Sequence, residues 1–292
     1  MKNKLKIISS MIIFGSIGIF VRNINLPSIE IAFLRAAIGS LFLLCAGFIM
    51  KQKISLKSIK ENMLILILSG VALGFNWILL FQAYKYTTIS NATLSYYFAP
   101  VFVIILAPVI LKEKLTVIKI LCVLMAMAGL FLIISVGINN ITGSYNHTLG
   151  IMYGLSAAVL YASVILMNKF INNLSSFETT LVQLIVAALV LLPIIIYQRN
   201  INLSEISSTG WIFILIVGIL HTGIAYLMYF SSIKELKAQS IAILIYIDPT
   251  SAVMMASIFL GETITIVKII GGILILGSTF LSERLGETKL KH

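Results

Sequence analysis

Four pairs of identical residues are separated by one constant offset: Pro100 and Pro249, Glu113 and Glu262, Thr116 and Thr265, Lys119 and Lys268 each lie 149 positions apart. Such a period identifies two copies of one unit, too long for a small solenoid repeat and long enough for a bundle half. The copies are rich enough in apolar residues to be read as membrane spans. An odd number of spans per copy then forces the second copy to lie upside down in the bilayer. Paired inverted units are the construction expected of a membrane carrier.

The membrane reading rests on composition: 60% of the 292 residues are hydrophobic and only 11% are charged, which excludes an ordinary soluble domain. A hydrocarbon core of about 30 Å takes roughly 20 apolar residues per helix. Against that length the chain predicts ten helical segments near 5–22, 30–50, 61–83, 88–110, 116–136, 148–168, 177–197, 211–231, 239–260 and 264–283. The expected fold is therefore an all-α polytopic membrane protein, ten transmembrane helices arranged as two inverted five-helix repeats. Residues 1–140 form the first unit, 148–284 the second, and 285–292 a cytoplasmic tail. Lys2, Lys4 and Lys6 before an apolar run resemble a signal peptide, but no small-residue cleavage site precedes Arg22, so this run is read as the first span.

Orientation follows from the basic residues, which gather on one side when the amino terminus is placed in the cytoplasm. Lys2, Lys4, Lys6, Lys51, Lys53, Lys57, Lys60, Lys112, Lys114, Lys119, Lys169, Lys234, Lys237, Arg284, Lys289 and Lys291 fall inside. Arg22, Lys85, Arg199 and Lys268 fall outside, and Arg35 is left within the membrane. This bias accounts for the net charge of +11 without a nucleic-acid partner and predicts a multi-pass protein of the cell membrane with both termini cytoplasmic. Cys45 and Cys122 lie in apolar runs without metal-ligand spacing and are expected to pack; no metal or cofactor is implied. Close helix contacts are expected at Gly70 with Gly74, Gly150 with Gly154, and the pair Gly271 and Gly272.

Asp248 is expected near mid-bilayer, where a carboxylate costs about 2.5 to 3.5 kcal/mol. Pro249 beside it removes a helix hydrogen bond, and Pro100 does the same at the equivalent place in the fourth segment. Matched breaks in the two halves point to a central binding site. The repeat partner of Asp248 is Ala99, so the charge belongs to one half alone. Asp248 can bind a proton or the cationic group of a solute; a carboxylate tethered to neighbours such as Ser251, or paired with a basic residue, is the structural alternative. Arg35, whose counterpart is Gln183, can snorkel to the interface or clamp an anion. If Arg35 and Asp248 face one cavity, a zwitterion such as an amino acid is the natural solute.

Helical spacing places His221, Ala225 and Tyr229 on one face of the eighth segment and Asn91, Ser95, Tyr96 and Ala99 on a face of the fourth. Asn76 and Trp77 in the third segment correspond to Ala225 and Tyr226. These residues are candidate cavity walls, and packing is the alternative for the aromatic ones. Glu113 and Glu262 at the ends of the fourth and ninth segments are expected to be structural, accepting bonds from the amides that open the following helix.

The run Phe259, Leu260, Gly261, Glu262, followed by Thr265, Lys268, Gly271, Gly272 and Gly277, resembles the closing signature of the EamA family of the drug/metabolite transporter superfamily. Arg35, Pro100 and Glu113 match the same pattern. The resemblance spans essentially the whole chain. It implies ten helices in two inverted repeats, a central cavity and alternating access, and secondary transport of a small organic solute such as an amino acid, an amine or a related metabolite, export being favoured. Proton coupling and a homodimer are both compatible with it. An intramembrane enzyme using His221 and Asp248 is the alternative from another class, but the chain carries no HExxH metal motif, nucleophile elbow or phosphate loop. A channel is a second alternative, though one carboxylate supplies no ring of charges for a filter.

Overall fold

The computed structural model describes residues 2–112, 116–139, 146–198, 206–233 and 244–288. Glu113 lies outside them, as do part of the loop joining the halves, the start of the ninth segment and the end of the tail. The described residues are helical throughout, with no strand.

Helices α1 (Lys2–Arg22), α2 (Ser28–Ile49), a short α3 (Leu56–Glu61) and α4 (Met63–Tyr86) open the chain. The fourth segment is divided into α5 (Ile89–Tyr96) and α6 (Ala99–Ile110), followed by α7 (Val117–Asn139), α8 (His147–Asn168) and α9 (Ser176–Gln198). The eighth segment runs through α10 (Ser208–Leu215), a π-helical stretch (Ile216–Ile224) and α11 (Ala225–Ile233). α12 (Ile247–Leu260) and α13 (Ile266–Thr288) close it. Starts are set by local chemistry: the Thr88, Asn146 and Ser207 side chains accept from the amides of Asn91, Leu149 and Gly210. Gly261, at φ +65°, ends α12 in the left-handed conformation that a residue without Cβ adopts cheaply.

Among the described residues, seven helices are long and apolar enough to cross a membrane, and three shorter apolar helices lie at Val117–Ile133, Ile247–Leu260 and Ile266–Ser278. The chain is thus a multi-pass membrane protein. The division between α5 and α6 falls at Tyr97 and Phe98, just before Pro100, and Tyr246 is a turn residue just before Pro249. Proline near a helix start needs no amide donor, so each break sits where its ring is tolerated.

Contacts pair off between the halves. α1 packs on α12, and in the matching arrangement α8 packs on α5 and α6. α1 meets the π stretch and α11 as α8 meets α4, α2 meets the π stretch as α9 meets α4, and α2 with α9 and α7 with α13 join like to like. At the α7–α13 crossing a Cβ on Gly129 would lie 2.6 Å from the Gly271 carbonyl oxygen, and one on Gly271 2.8 Å from that of Gly129. Without a hydrophobic force between helices in lipid, such close approach is what holds them. Gly70 and Gly74 likewise meet Val186 and Ala187 on α9. Cys122 is buried, but Cys45 is exposed and does not pack as expected, because it lies on a side of α2 that the described residues leave uncovered.

Candidate functional site

The two helix breaks bring Tyr97 and Asp248 together. The Tyr97 hydroxyl donates to Asp248 Oδ2 at 2.5 Å, joining the fourth segment to the ninth. Asp248 is half-buried at the second position of α12, where the positive end of the helix field also favours its charge. Ser251 does not tether the carboxylate; its hydroxyl donates to the Asp248 backbone carbonyl at 2.9 Å, as expected three residues along a helix. α1 crosses immediately over this turn, since a Cβ on Gly15 would lie 2.6 Å from the Asp248 carbonyl oxygen.

Arg35 is 5% exposed, so it is not a snorkelling residue. Its guanidinium lies 4.1 Å from the centre of the Trp77 ring and 5.8 Å from that of Phe81. Nε donates to Thr222 Oγ1 at 2.9 Å, and the Tyr226 hydroxyl is within hydrogen-bonding reach. A cation over indole is worth about 2 kcal/mol when desolvated, which offsets part of the burial cost. Arg35 and Asp248 are close enough to interact electrostatically yet form no ion pair with each other.

Tyrosines fill the space around these charges. Tyr96 lies 5.4 Å from Tyr161 and 6.1 Å from Tyr97 between ring centres, and Phe14 lies 5.3 Å from Tyr226 and 6.5 Å from Tyr229. Tyr84, Tyr96 and Tyr226 all lie within electrostatic reach of Arg35. The expected residues Asp248, Arg35, Trp77, Tyr96 and Tyr229 thus border one region.

Asn76 and His221 are placed differently. Asn76 is fully buried and donates through Nδ2 to the Ala157 carbonyl at 2.6 Å, tying α4 to α8. His221 is fully buried with both ring nitrogens engaged: Nδ1 with the Ile216 carbonyl at 3.2 Å and Nε2 with Ser16 Oγ at 2.9 Å. A carbonyl only accepts, so Nδ1 carries a proton in this arrangement. The α-helical spacing that put His221 with Tyr229 does not hold, because residues 216–224 have the wider π turn.

Glu262 is structural in a way its sequence neighbours do not show. Its carboxylate accepts from Arg22 Nη1 (2.9 Å), Ile89 N (2.7 Å), Ser90 N (3.1 Å) and Ser90 Oγ (2.7 Å). The amides it caps therefore open α5, in the other half, and not α13, the helix that follows it.

Tyr97, Thr222 and Tyr84 were not among the residues expected here. Tyr97 carries a signal, because its repeat partner at the same offset is Tyr246, which ends the preceding turn in the other half. Thr222 has none, since its role depends on the π stretch. Among the described residues no three potential metal ligands converge.

Comparison with known proteins bears on the family and the fold. Residues 3–135 and 148–284 each match the profile of the EamA-like transporter family. YxxF of Bacillus subtilis (strain 168), an uncharacterized transporter, is 34% identical over 278 residues, covering 92% of this chain and 87% of its own. An uncharacterized transporter of Archaeoglobus fulgidus is 25% identical over 281 residues, covering 95% of both chains. A solved crystal structure superposes with a TM-score of 0.65 at 16% identity, over 97% of this chain and 98% of that one, which is a likeness of fold.

Proposed function

Because this chain belongs to the EamA-like transporter family, we propose that it is a secondary carrier moving a small organic solute across the cell membrane by alternating access. Ten spans in two inverted repeats, both termini cytoplasmic, form the scaffold of this reading. Supporting it are the matched contacts between halves and the paired breaks beside Pro100 and Pro249. The observation that carries it is Arg35: a cation buried in an apolar bundle, with Asp248 nearby and no ion pair between them. Intramembrane ionisable residues are costly and are kept where a pathway uses them.

A solute with an anionic group for Arg35, a cationic or protonated group for Asp248 and an apolar body for the tyrosine and tryptophan walls fits this region. Amino acids and related metabolites meet that description. In the transport cycle the two halves rock about the region, and Asp248 exchanges its Tyr97 bond for a proton or the solute. Membrane potential supplies about 2.3 kcal/mol per charge per 100 mV, sufficient to drive export. Enzyme chemistry gains no support, because His221 and Asp248 hold separate partners.

The test is flux of labelled amino acids and amines in proteoliposomes under an imposed proton gradient. Arg35→Gln and Asp248→Asn are expected to abolish flux of the solute that the parent carries. Full activity in both variants would remove these residues from the pathway.

A further inference from the structure

Arg35 and Gly39 are one turn apart on α2 and share a face. A Cβ on Gly39 would lie 2.5 Å from Thr222 Cγ2, so the two elements touch at that level. The Thr222 hydroxyl donates its one proton to the Val217 carbonyl at 3.0 Å. It can then meet Arg35 Nε only as an acceptor, at 2.9 Å. Both Thr222 and its neighbour His221 bond to carbonyls five residues back, Val217 and Ile216. The π turn therefore fixes the rotamers of two consecutive polar residues, aiming one at α1 through Ser16 and the other at α2 through Arg35.

We propose that Thr222 is a positioning residue for the solute-binding guanidinium: it pins Arg35 by Nε over Trp77, so that the terminal N–H groups beyond the one shared with Tyr226 face an anionic group. This rests on the reading that Arg35 receives the solute. A planar guanidinium held at Nε on one edge and by an indole on one face has lost its main freedoms, so its fork is preorganised for a carboxylate. The π-helical stretch is what brings a threonine hydroxyl to this point.

The test needs no known solute. In a Trp211→Phe background Trp77 is the sole tryptophan, and its emission reports the cation 4.1 Å away. Thr222→Val, which keeps the shape and removes the hydroxyl, should shift Trp77 emission in the same direction as Arg35→Gln. Adding Thr222→Val to Arg35→Gln should change nothing further, and Thr222→Ser should restore the parent spectrum. Thr222→Ala serves if the valine variant does not fold. Parent-like emission in Thr222→Val or Thr222→Ala, or a further shift on top of Arg35→Gln, would overturn the proposal. Unimpaired flux in Arg35→Gln would instead overturn the transport role of Arg35 and leave the spectroscopic result standing.

Discussion

Tyr97 and Asp248, from opposite halves of the chain, share a 2.5 Å hydrogen bond at the point where both of their helices are interrupted. Tyr97 directly follows α5 and Asp248 is the second residue of α12, so the bond joins the break in the fourth segment to the helix start in the ninth.

This joint should be measurable as a coupling. Tyr97→Phe and Asp248→Asn, combined in a double-mutant cycle of unfolding in detergent, should show about 1.5 to 3 kcal/mol of interaction, the range for a hydrogen bond to a charged group. Additive effects would mean that the bond is not maintained.

Close passage of α1 over Asp248 predicts a steric effect. A Cβ at Gly15 would lie 2.1 Å from Ser251 Oγ and 2.6 Å from the Asp248 carbonyl oxygen. Gly15→Ala should therefore cost about 1 to 3 kcal/mol and slow transport. At Gly277 a Cβ would meet no atom of the described residues within 4 Å, so Gly277→Ala should be neutral or slightly stabilising in the same melting assay.

Glu262 gathers donors from α1 and from the start of α5, so its loss should exceed the loss of any one partner. Glu262→Ala is expected to destabilise by about 3 to 5 kcal/mol, as for a broken buried pair. Arg22→Gln leaves the three bonds to Ile89 and Ser90 and should cost only about 1 kcal/mol. Thermal unfolding in detergent gives the order; equal effects would contradict it.

Orientation can be read from two exposed loop positions, Lys53 and Thr263. In a background lacking Cys45 and Cys122, Thr263→Cys should react with a membrane-impermeant maleimide on intact cells. Lys53→Cys should react only after permeabilisation. The opposite pattern would reverse the charge-based topology.

Legibility from sequence differed from residue to residue. The first eight described segments begin and end within a few residues of those predicted, because span length is dictated by the bilayer and starts by nearby caps such as Asn146 and Ser207; the predicted start of the ninth lies outside the described residues. Asp248 and Pro249 were visible because charge and proline are anomalous in an apolar run. The neighbours of His221 were not, because its face was inferred from 3.6 residues per turn where the backbone is π-helical. Glu262 was recognised as a helix-end acceptor, but its recipient helix lies about 170 residues earlier in the chain.

By itself the sequence determined the apolar spans, the 149-residue spacing of matched residues and which charged and proline residues are anomalous within apolar runs. These are local or periodic properties, written in the order of residue types. Tertiary structure decided the partners: Tyr97 for Asp248, Thr222 and Trp77 for Arg35, and α5 for Glu262. Inside an apolar bundle a polar group takes the donor or acceptor that helix packing brings within about 3 Å. Which helices become neighbours, and where one widens to a π turn, is a property of the assembled bundle.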